Sequence, residues 1–433
     1  MLNIIWLFMI VCSVLLAGTS AKLPVVAESV VKSSETAVTL AVGLIGIMSL
    51  WLGMMRLAEK AGLIQSLSLL LRPVLRWLFP EVPKNHPAMG AIVMNIAANM
   101  LGLSNAATPL GLRAMLELEK LNQRPGVATN AMCTFLAINT SSVQLIPITA
   151  IGILAAAGSL QPQFIIGTAL LATACSTAAG IVSVKFLERL PVFRLSPLPP
   201  TPTCEITPMA AGDQAEVLAP WKRWHSLIVI LIVICFGFFF ANLIRSAGNP
   251  NGWWLPRIIN AFSILAIPFL LTLFPVCGWL RGLKVYEEFV EGAKEGFNVA
   301  VRIIPFLVAM LVAVGMFRAA GGIDLLAEWT QPLLQLLHFP TELLPISLMR
   351  PLSGSGSLAL FSELVNQYGP DSLIARTAGT LYGSTETTFY VLAIYFGSVN
   401  IRRTRHALPA GLIADAVGII ASIAICRWLM PSS

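Results

Sequence analysis

Charge is scarce in this chain. Asp, Glu, Lys and Arg make up 11% of its 433 residues, against about 25% in a soluble domain. That shortage excludes a water-soluble globular fold. With 56% hydrophobic residues and a mean hydropathy of +0.80, it indicates an integral membrane protein. Metal-binding chemistry is equally thin. The four histidines (His86, His225, His338, His406) stand alone, with no H-E-x-x-H or comparable spacing, so no metal site built on histidine is expected. The seven cysteines are odd in number, scattered mostly through apolar runs, and form no C-x-x-C pair. They read as small buried hydrophobes, not as a disulfide framework or a metal cage. No cofactor is implied. The net charge of +7 suits cytoplasmic loops and lipid headgroups in a membrane protein, so the expected partner is the lipid bilayer and not nucleic acid.

What is present is a series of long apolar runs with Gly and Pro inside them. These favour a helical bundle over a barrel, whose strands would alternate polar and apolar residues. The run at residues 1–18 lacks a positive leading region and reads as an uncleaved first helix. Spans are expected at Thr36–Met55, Val127–Leu154, Gln161–Val184, Leu227–Leu243, Ile258–Leu280, Val299–Phe317 and Leu408–Leu429. Asp415 in the last of these reads as a helix-pairing residue. Ala58–Phe79 mixes leucines with Glu59, Lys60, Arg72 and Arg76, the pattern of an interfacial helix anchored by Trp77. Asp324–His338 resembles it. Residues 190–220 are proline-rich and polar, a linker dividing the chain into halves at 1–189 and 221–433. Basic residues flank that linker (Lys185, Arg189, Arg194, Lys222, Arg223) and recur at Arg402–His406. The positive-inside rule puts both clusters in the cytoplasm, giving a multi-pass protein of the cytoplasmic (inner) membrane. A homo-oligomer is an open alternative to a monomer.

Polar residues interrupt the apolar runs at a few places. Asn95 and Asn99 share a helix face, and Gly102, Ser104, Asn105 and Pro109 follow. Asn139, Thr140, Ser141, Ser142 and Gln144 precede Pro147. In the second half, Leu343–Met349 is far too short to cross roughly 30 Å of hydrocarbon, which takes about 20 residues. Arg350-Pro351 and then Ser353, Gly354, Ser355, Gly356 and Ser357 come next, and Glu386 sits among Ser384, Thr385, Thr387 and Thr388. Broken backbone at membrane depth is tolerated only where protein or a water-filled cavity surrounds it, and transporters build polar midplane sites from such discontinuous helices. The order span, Arg, amphipathic helix, Phe-Pro, broken polar segment occurs twice: Leu50, Arg56, Leu69, Phe79-Pro80, then Leu311, Arg318, Leu333, Phe339-Pro340. The expectation is an all-α integral membrane protein. Its two pseudo-repeats would carry broken or re-entrant helices around a polar centre.

Candidate roles follow from residue type. Arg350 would hold an anion or carboxylate, or fix a kink with Glu386 as its partner, since a charge retained in the bilayer usually has one. Glu386 suits proton or cation coupling. Asn95, Asn99, Asn105, Asn139, Ser141 and Gln144 would hydrogen-bond a small polar solute, or else join helices. Ser353, Ser355 and Ser357, with Gly354 and Gly356, would offer backbone groups at a helix break to an anion, or else pack helices closely through small residues, and Ser384 flanks Glu386. Ser355 is the only tempting nucleophile, but it has no G-x-S-x-G elbow and no placed base. No catalytic residue and no enzyme activity are assigned.

These motifs carry a resemblance. N-I-A-A-N-M-L-G-L-S-N-A-A-T-P-L-G (Asn95–Gly111) and N-T-S-S-V-Q-L-I-P (Asn139–Pro147) resemble spore maturation protein A. L-M-R-P-L-S-G-S-G-S (Leu348–Ser357), Y-G-P-D-S (Tyr368–Ser372) and G-S-T-E-T-T-F-Y-V-L-A-I-Y-F-G (Gly383–Gly397) resemble spore maturation protein B. The chain is thus similar to the fused A/B form, within a superfamily named for a nucleoside-recognition or Gate domain. That superfamily also includes concentrative nucleoside transporters and the membrane part of ferrous-iron transporters. The resemblance implies two Gate-type domains, one in each half. It further implies a transporter- or channel-like protein for a small polar solute or ion, related to proteins of spore-core dehydration. The alternative is a non-transporting assembly or scaffold protein of the membrane.

Overall fold

The computed structural model describes residues 2–83, 86–102, 104–142, 144–194, 223–246, 254–322, 325, 328 and 339–429, with backbone alone at 2–5, 104–106, 223, 255, 299–300, 302–303 and 306. The described chain is helical, with a single isolated bridge between Val127 and Arg403. Most of the linker lies outside the described residues, as does nearly all of Asp324–His338.

After α1 (Leu2–Thr19), the helix α2 runs unbroken from Leu23 to Lys60. The mildly polar stretch before Thr36 therefore belongs to the same helix as the expected span. Pro24 sits in its first turn, where the missing N–H costs nothing, and no other proline follows within it. At 1.5 Å per residue its 38 residues extend roughly 57 Å, well beyond the hydrocarbon core. Helix α11 (Val285–Ala319) similarly fuses the charged segment with the span that follows it. α2 and α11 lie antiparallel at very short range. Gly53 abuts Phe289, Gly296 abuts Ser49, and Gly315 abuts Ser33. A Cβ on Gly296 would come within 2.4 Å of the Ser49 amide nitrogen, so glycine is what permits the approach. At one end of the pair Glu288 binds both Arg56 and Lys60 at 2.9 Å.

Around this pair the two halves repeat with opposite direction. In the first half, the interfacial helix α3 (Leu63–Leu78) leads into a hairpin of α4 (Pro87–Met100) and α5 (Ser104–Lys120). α5 passes through Pro109, so the expected interruption narrows to the turn at Leu101–Gly102, where Gly102 has φ +77°. The next span is in two pieces, α6 (Asn130–Thr140) and α7 (Ile148–Ala156), where the sequence predicted one run over Val127–Leu154. Pro147 lacks an N–H and disfavours helical backbone before it, and Ser142 takes a positive φ of 46°. The unbroken α8 (Ile165–Leu187) closes the half.

Two helices then intervene: α9 (Arg223–Ser246), which packs on α10 (Trp254–Leu280) through contacts such as Phe236 against Phe269. The second half has its own hairpin, α12 (Leu344–Met349) and α13 (Gly354–Tyr368). A broken span follows as α14 (Leu373–Ser384) and α15 (Thr388–Ser398), and then the unbroken α16 (Ala407–Leu429). The loop after α7 meets the loop after α13, where Asp371 accepts from Ser159 Oγ (2.7 Å) and the Leu160 amide (3.0 Å). On the opposite face the segment after α5 meets the one after α15. There the Ala128 amide donates to Arg403 (3.0 Å), and Arg405 donates to Ala128 O and Asn130 Oδ1. The two hairpins therefore enter from opposite faces. Among the described residues five helices are long and apolar enough to cross a membrane: α2, the segment 162–187, α9, α10 and α16. The two broken spans add two short pieces each, and Trp6–Thr19 and Leu307–Ala319 are shorter apolar helices.

Candidate functional site

The halves meet where their broken spans cross. The Glu386 amide, freed by the break between α14 and α15, donates to the Thr140 carbonyl at the end of α6 (2.8 Å). Each hairpin tip touches the break of its own half in the same way. The Leu145 amide donates to Met100 O (3.0 Å), and the Phe389 amide donates to Pro351 O (3.0 Å). Backbone groups that helix geometry leaves unpaired thus satisfy one another across four elements.

Side chains line this crossing unequally. Arg350, at the tip of the second hairpin, is buried with 3% of its side chain exposed. Its guanidinium donates to the Thr385 carbonyl and hydroxyl and lies over the Tyr382 ring, 4.5 Å from the centroid. Glu386, the partner expected from sequence, is 4.0 Å away and half exposed. The ion pair is loose, and the helix break itself is the arginine's main anchor. Ser353 caps α13 by accepting from the Gly356 amide (3.0 Å), and its hydroxyl lies 3.3 Å from that of Ser355. Gly354 faces the Thr387 hydroxyl across the gap. Arg350, Ser353, Ser355 and Glu386 thus share one region.

On the first-half side, Asn99 donates to Asn139 Oδ1 (2.9 Å), and Asn139 donates to Phe135 O (2.9 Å). Asn95 donates to Ala107 O (2.7 Å), and its amide lies 3.4 Å from the Tyr395 hydroxyl of the opposite half. The amide of Gln144 lies over Gly102 at the hairpin turn. The Asn105 side chain lies outside the described residues. Three hydroxyls turn away from the crossing into their own helices. Ser141 donates to Ile138 O, Ser357 to Ser353 O, and Ser384 to Leu381 O, the last also approaching Ser422 at 3.2 Å.

The structure adds residues that spacing did not single out. Tyr382 and Tyr395 flank the crossing through the contacts just described. Asp415, read from sequence as a helix-pairing residue, is 1% exposed inside α16 and bonded to the Thr388 hydroxyl at 2.6 Å. Its other oxygen is buried without a hydrogen-bond partner among the described residues. A carboxylate inside a 23-residue apolar helix was itself the sequence signal. Among the described residues no cluster of His, Cys, Asp and Glu could hold a metal ion.

The profile of the nucleoside recognition (Gate) family matches residues 41–157 and 300–402. Each stretch takes in one hairpin and one broken span. Spore maturation protein B of Bacillus subtilis (strain 168) is 43% identical over 177 residues, covering 41% of this chain and 99% of that protein. Spore maturation protein A of the same organism is 43% identical over 182 residues, covering 42% of this chain and 93% of that protein. No solved structure matches. With one Gate match on each repeat and near-complete coverage of both relatives, this chain belongs to the Gate family in its fused spore maturation A/B form.

Proposed function

We propose that this multi-pass membrane protein moves a small polar solute or ion through the crossing of its two broken spans. The observation that carries the reading is the Glu386–Thr140 backbone hydrogen bond. It places two interrupted backbones against each other inside the protein, with a buried arginine and a half-exposed glutamate beside them. A charge held at bilayer depth costs from about 3 to more than 10 kcal/mol, more than the anchoring of a helix break alone offsets. A pathway for a polar solute uses it. Arg350 suits an anionic or dipolar group, Glu386 suits a cationic one or a proton, and the Asn99–Asn139 pair supplies neutral hydrogen bonds.

In this reading residues 1–189 and 221–433 act as two Gate units joined by the 190–220 segment. The face bearing Arg402, Arg403 and Arg405 is cytoplasmic, as the positive-inside rule asks of a cytoplasmic-membrane protein. No catalytic role is assigned to any residue. Uptake from a complex mixture of metabolites and ions, compared between proteoliposomes with wild-type protein and with Glu386→Gln, tests the proposal. A solute enriched by the first and not by the second supports it, and identical profiles in both and in empty vesicles sink it. One observation favours an assembly role instead: no residue in the most apolar 18-residue stretch of α9 is fully buried within the chain. Co-purification of a partner lost on polar substitution of α9, together with absent flux, would establish that alternative.

A further inference from the structure

We propose that Asp415 is a proton-binding site, which exchanges its proton with the Glu386 side of the crossing when the second break opens. The carboxyl group is 1% exposed within an apolar membrane helix. Its hydrogen-bond partner is a neutral hydroxyl, Thr388 Oγ1 at 2.6 Å, and Oδ1 has none among the described residues. No Lys, Arg or His among the described residues lies within ion-pair distance of it. A buried carboxylate with neither a cation nor a full set of donors is strongly disfavoured, and such groups neutralise instead. A proton turns Oδ1 into a neutral carbonyl oxygen, whose lack of a partner matters far less. The short contact with Thr388 can then be made with either oxygen donating.

The surroundings fit a group that gains and loses charge. α16 packs against α6, α8, α14 and α15. The first two bring Thr140 and Ser176 to its Gly411 and Gly418, one turn either side of Asp415, and no charged group. The charged groups that act on Asp415 are Glu386, from the break between α14 and α15, and Arg350, from the second hairpin tip. Thr388 is the first residue of α15, two positions after the half-exposed Glu386. Any opening of the break moves the one hydrogen bond Asp415 has. The step is the simple equilibrium of carboxylic acid with carboxylate and a proton released to solvent. Arg350, the cation that acts on Asp415, can offset the new negative charge by turning from Thr385. That this proton is the one coupled to solute movement rests on the transport reading above, whereas its presence on Asp415 does not.

Infrared titration of the full chain in liposomes reads the proton directly. A protonated-carboxyl carbonyl absorption is expected at neutral pH that shifts in deuterated buffer, disappears in Asp415→Asn and persists in Glu386→Gln. If Asp415→Asn does not fold, Asp415→Glu should keep the absorption at a displaced frequency. Identical neutral-pH spectra for wild type and Asp415→Asn, or loss of the absorption in Glu386→Gln alone, overturn the proposal. An absorption that behaves as expected in a protein showing no flux leaves the proton site standing and removes the transport reading.

Discussion

Arg350 is anchored on the Thr385 carbonyl, while its carboxylate neighbour Glu386 stands 4.0 Å off. The charge therefore stabilises a helix break first and an ion pair second. Arg350→Ala leaves that buried carbonyl without its donor, at about 1–3 kcal/mol. Arg350→Lys keeps the charge but loses the planar fork that reaches both atoms of Thr385 and stacks on Tyr382. We expect thermal stability to rank wild type, then Lys, then Ala, with flux lost in both variants. Equal melting temperatures for all three would contradict the anchoring role.

Glu386 should behave in the opposite way. Its side chain is half exposed and its ion pair loose, so Glu386→Gln is expected to change stability by no more than about 0.5 kcal/mol while abolishing uptake. Melting curves and proteoliposome uptake on the same preparation separate the two effects.

The α2–α11 contact predicts a sharp contrast between glycines. Gly296→Ala drives a methyl group into the Ser49 backbone, whereas a Cβ at Gly46 meets nothing within 4 Å. Gly296→Ala should cost about 1–3 kcal/mol through overpacking. Gly46→Ala should be neutral or slightly stabilising, through lower chain entropy in the unfolded state. Thermal unfolding in detergent checks both.

Asp371 joins the two loops of one face. Burial works against its charge, but donors from the Leu160 amide, Ser159 and Arg376 overcome that and hold its carboxyl at about 2. An unfolded aspartate titrates near 4. The stabilisation is therefore fully present above about pH 4 and is lost as pH falls from there through 2. Stability measured across that range should drop for wild type and stay flatter for Asp371→Asn, which should already be weaker at neutral pH.

Much of this architecture was legible in the sequence because breaks are written in residue types with fixed backbone consequences. The Gly102 turn announces an interrupted helix, and Leu343–Met349 is too short to span. Helix ends were less legible. Glu28, Lys32 and Glu35 make the stretch before Thr36 mildly polar, yet nothing among them stops a helix, and α2 runs through them. The Val127–Leu154 run hides its break because Asn139, Thr140, Ser141, Ser142 and Gln144 are all residues a helix inside a protein tolerates, so their clustering alone does not mark where the helix stops. Arg350 and Glu386 stand 4.0 Å apart, but which atoms they bind depends on carbonyls that a break exposes, and no sequence pattern reports those. Asp415 does pair two helices, but its partner Thr388 is not legible, because a lone carboxylate has no spacing to read.

The matching contacts at the two hairpin tips, Leu145 to Met100 and Phe389 to Pro351, carry a consequence for direction. If the crossing is the pathway proposed above, the same kind of amide-to-carbonyl contact holds each hairpin tip to its break, so the main chain alone favours neither direction. Any bias must come from what differs between the two contacts: a guanidinium and a carboxylate beside one, paired asparagines beside the other. Ionic strength and pH should accordingly alter access from the hairpin side of Arg350 while leaving the asparagine side nearly unchanged. Labelling rates of single cysteines at Leu348 and Leu101 would measure that difference.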